Sequence, residues 1–253
     1  MTAASAVHRE AQALSPGLRI FLQHARRRTV PSKTVLISAG EAPEQLFHVL
    51  SGSVEVLIED DGGNEIVLAY LSKGQFFGEM GLFGIDRRTA FVRARGRTEI
   101  AEIPYPRFRQ LANETPSLTF EIATQLAMRL ERTNRKLGDL AFVDVSGRIA
   151  HALLDLCNEP EAMTHPEGMQ IRVSRQELSR LVGCSREMAG RVLKALEAQG
   201  LLQAHGKTIV LYDVRPAPRD LVDGRKMKTL PGKPGRTQPA AAISARMART
   251  VAA

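Results

Sequence analysis

The sequence predicts an α+β chain with an N-terminal antiparallel β-roll or barrel, one long helix and a smaller C-terminal domain of helices closed by a hairpin. Three observations lead there. From Thr34 to about Ile103 the apolar residues come in short runs rich in Val, Ile, Leu and Phe with partial alternation, as half-buried strands do. Between residues 107 and 141 the period lengthens to that of a helix. Past Arg172, two short helical patterns flank a tight glycine-containing turn.

In chain order, the strand segments are "TVLISAG", "QLFHVLSGSVEVLIED", "NEIVLAYLSKGQFF" and "FVRARGRTEIAEI", and "DDGGN" at 60–64 has the composition of a hairpin turn. Within the roll, "GQFFGEMGLFGIDRRTAFVRAR" at 74–95 sets Glu79 among Phe76, Phe77, Met80, Leu82 and Phe83, with Arg87 and Arg88 close behind. Glycines at 78, 81 and 84 suit a backbone that another group approaches closely. The plainer reading is an ion pair between Glu79 and Arg88 inside the roll. In the long helix, Leu126, Leu130, Thr133, Leu137 and Leu140 step by four and three, the seam of a coiled coil that pairs with its own copy. The alternative, a helix lying on its own roll, fits less well because Thr133 and Asn134 interrupt the apolar seam. "FVDVSG" at 142–147 reads as a short hinge, and "SGRIAHALLDLCNEP" starts a new helix.

Ser174 with Glu177 three residues later makes a capping box for a helix running to Leu181. Gly183, Cys184 and Ser185 form a tight connection in which Ser185 caps a second helix, Arg186 to about Ala198. On that helix Ala189, Val192, Leu193 and Leu196 share one side, and Arg186, Glu187, Gly190, Arg191 and Lys194 the other. Glycine within a helix costs about 1 kcal/mol relative to alanine, so Gly190 makes sense if a partner approaches the backbone. Arginine and glutamate at the start of such a helix suit readout of base edges in the major groove. A solvated helix with pairs such as Glu187 and Arg191 would look similar in isolation. The capped helix before it and the closing hairpin "LLQAHGKTIVLY" favour a winged helix-turn-helix.

The net charge is +8, but residues 216–253 alone carry +6, which leaves about +2 for the rest and makes bulk charge a weak argument for nucleic acid. That last segment, rich in Pro, Gly, Ala, Arg and Lys without periodicity, is expected to be a disordered basic tail. Cys157 and Cys184 lack metal-ligand spacing and are expected on apolar faces as small core residues. His8, His24, His48 and His151 show no ligand spacing either, which argues against a haem sensor. With no signal-peptide core and no run of 18 apolar residues, a cytoplasmic protein without a membrane partner is expected.

"GEMGLFGIDRRTAFVRAR" together with "RQELSRLVGCSREMAGRVLKALEAQGLL" resembles the cyclic AMP receptor protein branch of bacterial transcription regulators, also called catabolite activator proteins. The similarity runs from about Val30 to Arg215 and includes "GDLAFVDVSGRIA", "EAMTHPEGMQI" and "AHGKTIVLY". It implies a flexible N-terminus at 1–17, a cyclic-nucleotide-binding β-roll at 18–113, a dimerisation helix and hinge at 114–143, a winged helix-turn-helix at 144–215 and the tail at 216–253. By the family's motif, Arg88 and Thr89 would bind the cyclic phosphate, Gly78 and Glu79 the ribose, and Thr133 and Asn134 the base, the last from the partner subunit. An empty pocket is expected to leave Arg88 poorly paired. This sequence departs from the family at Asn134, where a small hydroxyl is usual, and the loop from Glu79 to Arg88 is one residue shorter than the commonest form. An amide both donates and accepts, so cyclic AMP is the first candidate effector and cyclic GMP stays open. No cofactor beyond the effector is implied.

The resemblance further implies a homodimer, paired through Leu126, Leu130, Leu137 and Leu140, whose recognition helices reach an inverted repeat in double-stranded DNA. Arg186, Glu187 and Arg191 would read bases, and Arg175, Ser185, Lys194, His205 and Lys207 would hold phosphates. "EPEAMTHPEGM", with Thr164, His165 and Pro166, resembles the loop that touches RNA polymerase, and Arg26, Arg28 and Arg107 occupy a second, basic polymerase contact. Ordinary surface charge is the plainer reading of those arginines. An enzyme or channel with a regulatory roll would need a kinase fingerprint or membrane spans, and neither is in the sequence. A DNA-binding regulator without ligand control stays open as well.

Overall fold

The computed structural model describes residues 15–215, so the tail at 216–253 and the first fourteen residues of the expected flexible N-terminus lie outside the described residues. The chain divides into two compact units between Arg135 and Lys136. Among the described residues no helix is long and apolar enough to cross a membrane.

The first unit opens with helix α1 (Pro16–His24), capped by Ser15, whose hydroxyl accepts from the Leu18 N–H at 3.1 Å. Eight strands follow: β1 (Arg26–Val30), β2 (Val35–Ile37), β3 (Gln45–Ser51), β4 (Ser53–Glu59), β5 (Glu65–Ser72), β6 (Phe76–Phe77), β7 (Phe91–Ala94) and β8 (Thr98–Pro104). They form two antiparallel sheets ordered β1-β8-β3-β6 and β2-β7-β4-β5, the expected roll. Strand β1, "RRRTV", was not legible because three arginines mask its strand character, yet it pairs with β8 along its whole length. Alternation in the sequence is only partial for two structural reasons. Strand β3 is buried on both faces, with Phe47 and Val49 in the core between the sheets and Leu46 in the core under the helices. In β4 the register shifts between Val56 and Leu57, which breaks the period of two.

The region read as one helical stretch is two helices, α2 (Tyr105–Glu114) and α3 (Ser117–Phe142), separated at Thr115 and Pro116. Leu118 and Ile122 of α3 are buried with Phe21, Leu46, Phe76 and Phe108, and Leu126 packs partly on the same cluster. Beyond that turn Leu130, Leu137 and Leu140 are 61%, 65% and 57% exposed. The alternative reading thus holds for the first three turns, which lie on their own roll, and among the described residues nothing covers the seam from Leu130 onward.

In the second unit, α4 (Val145–Cys157) starts after only Val143 and Asp144, and the Asp144 carboxylate caps it by accepting from the Gly147 N–H at 2.8 Å. Strands β9 (Met163–His165) and β10 (Gly168–Arg172) form a hairpin where the sequence reading had a loop, because Pro166 and Glu167 make a two-residue turn between them. Helices α5 (Arg175–Val182) and α6 (Arg186–Ala198) follow, then the hairpin of β11 (Leu202–His205) and β12 (Thr208–Tyr212). The sheet order is β11-β12-β10-β9. Ile149, Leu153, Leu178, Ala189, Leu196 and Leu211 are fully buried. Cys157 is buried as expected, and burial pushes its thiol up to about 12. Cys184 departs from expectation: it sits half-buried in the turn between α5 and α6, not in the core.

Candidate functional site

Strand β6 runs directly into Gly78, which has φ of 76° and close neighbours on three sides. A Cβ there would come within 2.9 Å of Arg88 Nη1 and 3.1 Å of both the Gln45 carbonyl and Ile37 Cδ1. Only glycine lets this carbonyl and the Arg88 guanidinium close on each other. Arg88 donates to the carbonyls of Gly78 and Gln45, each at 2.8 Å, and to the Tyr105 hydroxyl at 3.0 Å. Tyr105 in turn donates to the Gly78 carbonyl. Burial holds the Tyr105 phenol above its usual range, with the neighbouring Arg88 charge pulling the other way. The expectation that an empty pocket leaves Arg88 poorly paired is corrected in one respect: its hydrogen bonds are made, but all to neutral oxygens. Among the described residues no carboxylate forms an ion pair with it.

The ion pair between Glu79 and Arg88 is absent. Glu79, 4% exposed, accepts instead from Arg129 of α3, Nη1 to Oε1 at 3.1 Å. Its other oxygen, Oε2, is buried without a hydrogen-bond partner among the described residues. A buried carboxylate oxygen in that state is an acceptor waiting for a donor. Past Glu79 the chain makes a 3-10 turn, Met80–Phe83, and returns to Arg88, whose N–H and C=O are pinned to Glu41 and Gly40 at 2.9 and 2.8 Å. Thr89 is exposed beside it, and Thr133 and Asn134 are exposed on α3 about one turn beyond Arg129.

Sequence reasoning missed Gln45, Tyr105, Gln125 and Arg129. Gln125 was the most accessible of these, an amide between the apolar Ile122 and Leu126 on the face of α3 that packs on the roll. It accepts from the Phe76 N–H at 2.9 Å and donates to the Gly74 carbonyl at 3.0 Å.

In the second unit the capping box is complete: Ser174 Oγ accepts from the Glu177 N–H at 3.1 Å and Glu177 Oε2 from the Ser174 N–H at 2.8 Å. Gly183 ends α5 in the left-handed region, φ 69°, and the Ser185 hydroxyl caps α6 by accepting from the Met188 N–H at 3.1 Å. Arg175, Arg186, Glu187, Arg191 and Lys194 are exposed, while Ala189, Val192, Leu193 and Leu196 are buried, so the two faces of α6 separate as read. Glu187 forms no ion pair with Arg191 among the described residues. Its carboxyl is held below the usual range chiefly by hydrogen bonds at the helix start, to the backbone and Ser185, with smaller help from Arg186 and Arg191. At Gly190 an added Cβ would meet only the Arg175 side chain, at 3.5 Å, an ordinary contact. Nothing among the described residues therefore requires glycine there. His205 and Lys207 are exposed at the tip of the β11–β12 hairpin.

The residues expected to contact polymerase fall on separate elements. Thr164, His165 and Pro166 lie at the β9–β10 hairpin, and Arg26 and Arg107 are exposed on β1 and α2. Arg28 is already engaged, its Nε 2.7 Å from Glu102 Oε2.

Residues 27–115 match the cyclic nucleotide-binding domain family, and residues 147–215 match the Crp-like helix-turn-helix domain family. The chain is similar to the cAMP-activated global transcriptional regulator Vfr of Pseudomonas aeruginosa, 52% identical over 77% of this chain and 93% of the relative. It is equally similar to the cAMP-activated global transcriptional regulator CRP of Pasteurella multocida, 52% identical over 80% of this chain and 97% of the relative. Among solved structures it is similar to CLP of Xanthomonas campestris, described as a c-di-GMP responsive global regulator. That pair is 50% identical with a TM-score of 0.72, covering 78% of this chain and 98% of the other.

Proposed function

The chain belongs to the CRP family of transcription regulators, and from that premise we propose that it acts as a homodimer on an inverted repeat when a cyclic nucleotide fills the pocket around Glu79 and Arg88. One observation carries the reading: among the described residues, a fixed guanidinium without an ion-pair partner lies in the same loop as a buried carboxylate oxygen without a donor. A cyclic nucleotide supplies one anion and one ribose hydroxyl, the two groups this pair lacks, and charge-assisted bonds in such a setting are strong ones. In this reading Arg88 and Thr89 bind the phosphate, Gly78 and Glu79 the ribose, and Thr133 with the partner's Asn134 the base. Cyclic AMP is the first candidate effector.

Leu130, Leu137 and Leu140 form the dimer seam, since three exposed leucines on one helix face are otherwise left in water. The effector acts by binding the DNA-competent arrangement more tightly than the alternative. Arg186, Glu187 and Arg191 then read bases, with Arg175, Lys194, His205 and Lys207 on phosphates. The hydroxyl of Ser185 serves as the helix cap, which leaves its exposed backbone end of α6 for a phosphate. The β9–β10 hairpin with Arg26 and Arg107 is the polymerase-facing surface, and the ion pair of Arg28 makes it the weakest of that set.

A second effector reading follows from CLP, described as c-di-GMP responsive although its identity to this chain is nearly that of the cAMP-activated relatives. Calorimetry with cyclic AMP, cyclic GMP and cyclic di-GMP separates the two. Heat with a mononucleotide at one site per chain supports the first reading. Heat with cyclic di-GMP alone replaces it, and no heat with any of them removes ligand control altogether.

A further inference from the structure

We infer that Gln125 is a positioning residue that transmits movement of the pocket strand β6 to the long helix α3. This rests on the effector reading for what moves the strand, while the contact itself does not depend on it. Strand β6 is two residues long and lies at the edge of its sheet, with β3 on one side only. An edge strand ordinarily leaves a row of unpaired backbone groups. Here a helix takes them: Gln125 Oε1 accepts from the Phe76 N–H at 2.9 Å, Gln125 Nε2 donates to the Gly74 carbonyl at 3.0 Å, and Arg129 donates to the Phe76 carbonyl. The Gln125 amide therefore stands in for a peptide group of a missing neighbouring strand.

Two opposed hydrogen bonds from one planar amide fix both the height and the rotation of α3 against β6. They sit beside Phe76 and Ile122, each 1% exposed, where a broken bond would leave a polar group buried without a partner. The two ties differ in one respect. Arg129 also holds Glu79, so a ligand hydroxyl arriving at Glu79 changes the surroundings of that link. Gln125 has no hydrogen bond to Gly78, Glu79 or Arg88 and can stay attached while the pocket rearranges. Phe77 is followed directly by Gly78 and Glu79, so a shift of that loop pulls on β6, and β6 pulls on α3 through Gln125. The same helix then carries Thr133, Asn134, Leu137 and Leu140.

The test uses the full chain and two variants: Gln125→Met, of similar length without hydrogen bonds, and Gln125→Glu, which keeps the acceptor for Phe76 and loses the donor to Gly74. The readouts are the ratio of operator Kd without and with saturating cyclic AMP, and the cyclic AMP Kd of the DNA-free protein. For Gln125→Met the ratio is expected to fall at least about tenfold while the cyclic AMP Kd stays within about threefold, with Gln125→Glu in between. An unchanged ratio, or equal losses in both quantities, overturns the inference. Amide exchange without nucleotide separates it from the effector reading. In Gln125→Met, exchange is expected to rise at residues 126–134 as well as at Phe76 and Phe77; a rise confined to Phe76 and Phe77 overturns the tie. A wild-type ratio of one with cyclic AMP overturns the effector reading instead and leaves the exchange result to decide the role of Gln125.

Discussion

Lowering the pH should loosen the first unit through one side chain, His48. It is 3% exposed, with the rings of Phe76 and Phe21 centred 4.6 and 6.0 Å away. Neither ring nitrogen has a full hydrogen bond among the described residues, and desolvation lowers its pKa from 6.5 to about 4 against an opposing pull from the Gly74 backbone. The sign follows from the folded value lying below the unfolded one. Between pH 6.5 and 4 the unfolded chain binds the extra proton, so stability falls as pH falls through that window and is flat above it. The gap corresponds to about 3 kcal/mol in full, and to about 2 kcal/mol between pH 7 and 5. Urea unfolding followed at pH 7 and pH 5 should show that loss in the wild type. His48→Leu should remove this contribution, so the difference between the two proteins shrinks or reverses at pH 5. Equal pH slopes in the two proteins, or a folded His48 that titrates near 6.5 by NMR, would refute the reasoning. Because His48 packs on Phe76, the strand that Gln125 holds, the acid-weakened element is also the one leading into the pocket.

Two further outcomes are expected. Arg88→Leu should leave the fold intact, since the Tyr105 hydroxyl still donates to Gly78, and should weaken cyclic AMP binding by about 1.5–3 kcal/mol or more, read by calorimetry. Normal affinity in that variant would show that the phosphate sits elsewhere. Gly190→Ala should act in opposite directions on two assays: up to about 1 kcal/mol of added stability in thermal unfolding, because its Cβ has room, and weaker operator binding, because the backbone of α6 is the surface approached. Operator affinity unchanged by this substitution would remove the close approach at Gly190.

The parts of the molecule legible in the sequence are those whose signals are local. Ser174 with Glu177, and Gly183 with Ser185, announce the two helices and the turn between them, each pair spanning no more than three residues. The 3.6-residue period of α6 is likewise complete within its own span. What was not legible depends on contacts distant in sequence. Glu79 and Arg129 are fifty residues apart, and no local pattern distinguishes that pair from the Glu79 and Arg88 alternative. Strand β1 exists because β8 pairs with it, although its own residues are three arginines, a threonine and a valine. The break between α2 and α3 was within reach, since Pro116 belongs in a first turn and not in the interior of a helix. Leu126 divides the two interpretations of the seam for a similar reason: heptad spacing does not reveal which turns of a helix its own domain covers.

In the proposed function, a cyclic nucleotide held through its phosphate by Arg88 and through its ribose hydroxyl by Glu79 decides whether the recognition helices engage DNA. Titrating a labelled inverted-repeat duplex with the purified protein, with and without each cyclic nucleotide, tests it most directly. One nucleotide is expected to tighten binding at least about tenfold. Equal affinity in the presence and absence of every nucleotide, or engagement of the duplex by a monomer, would contradict it.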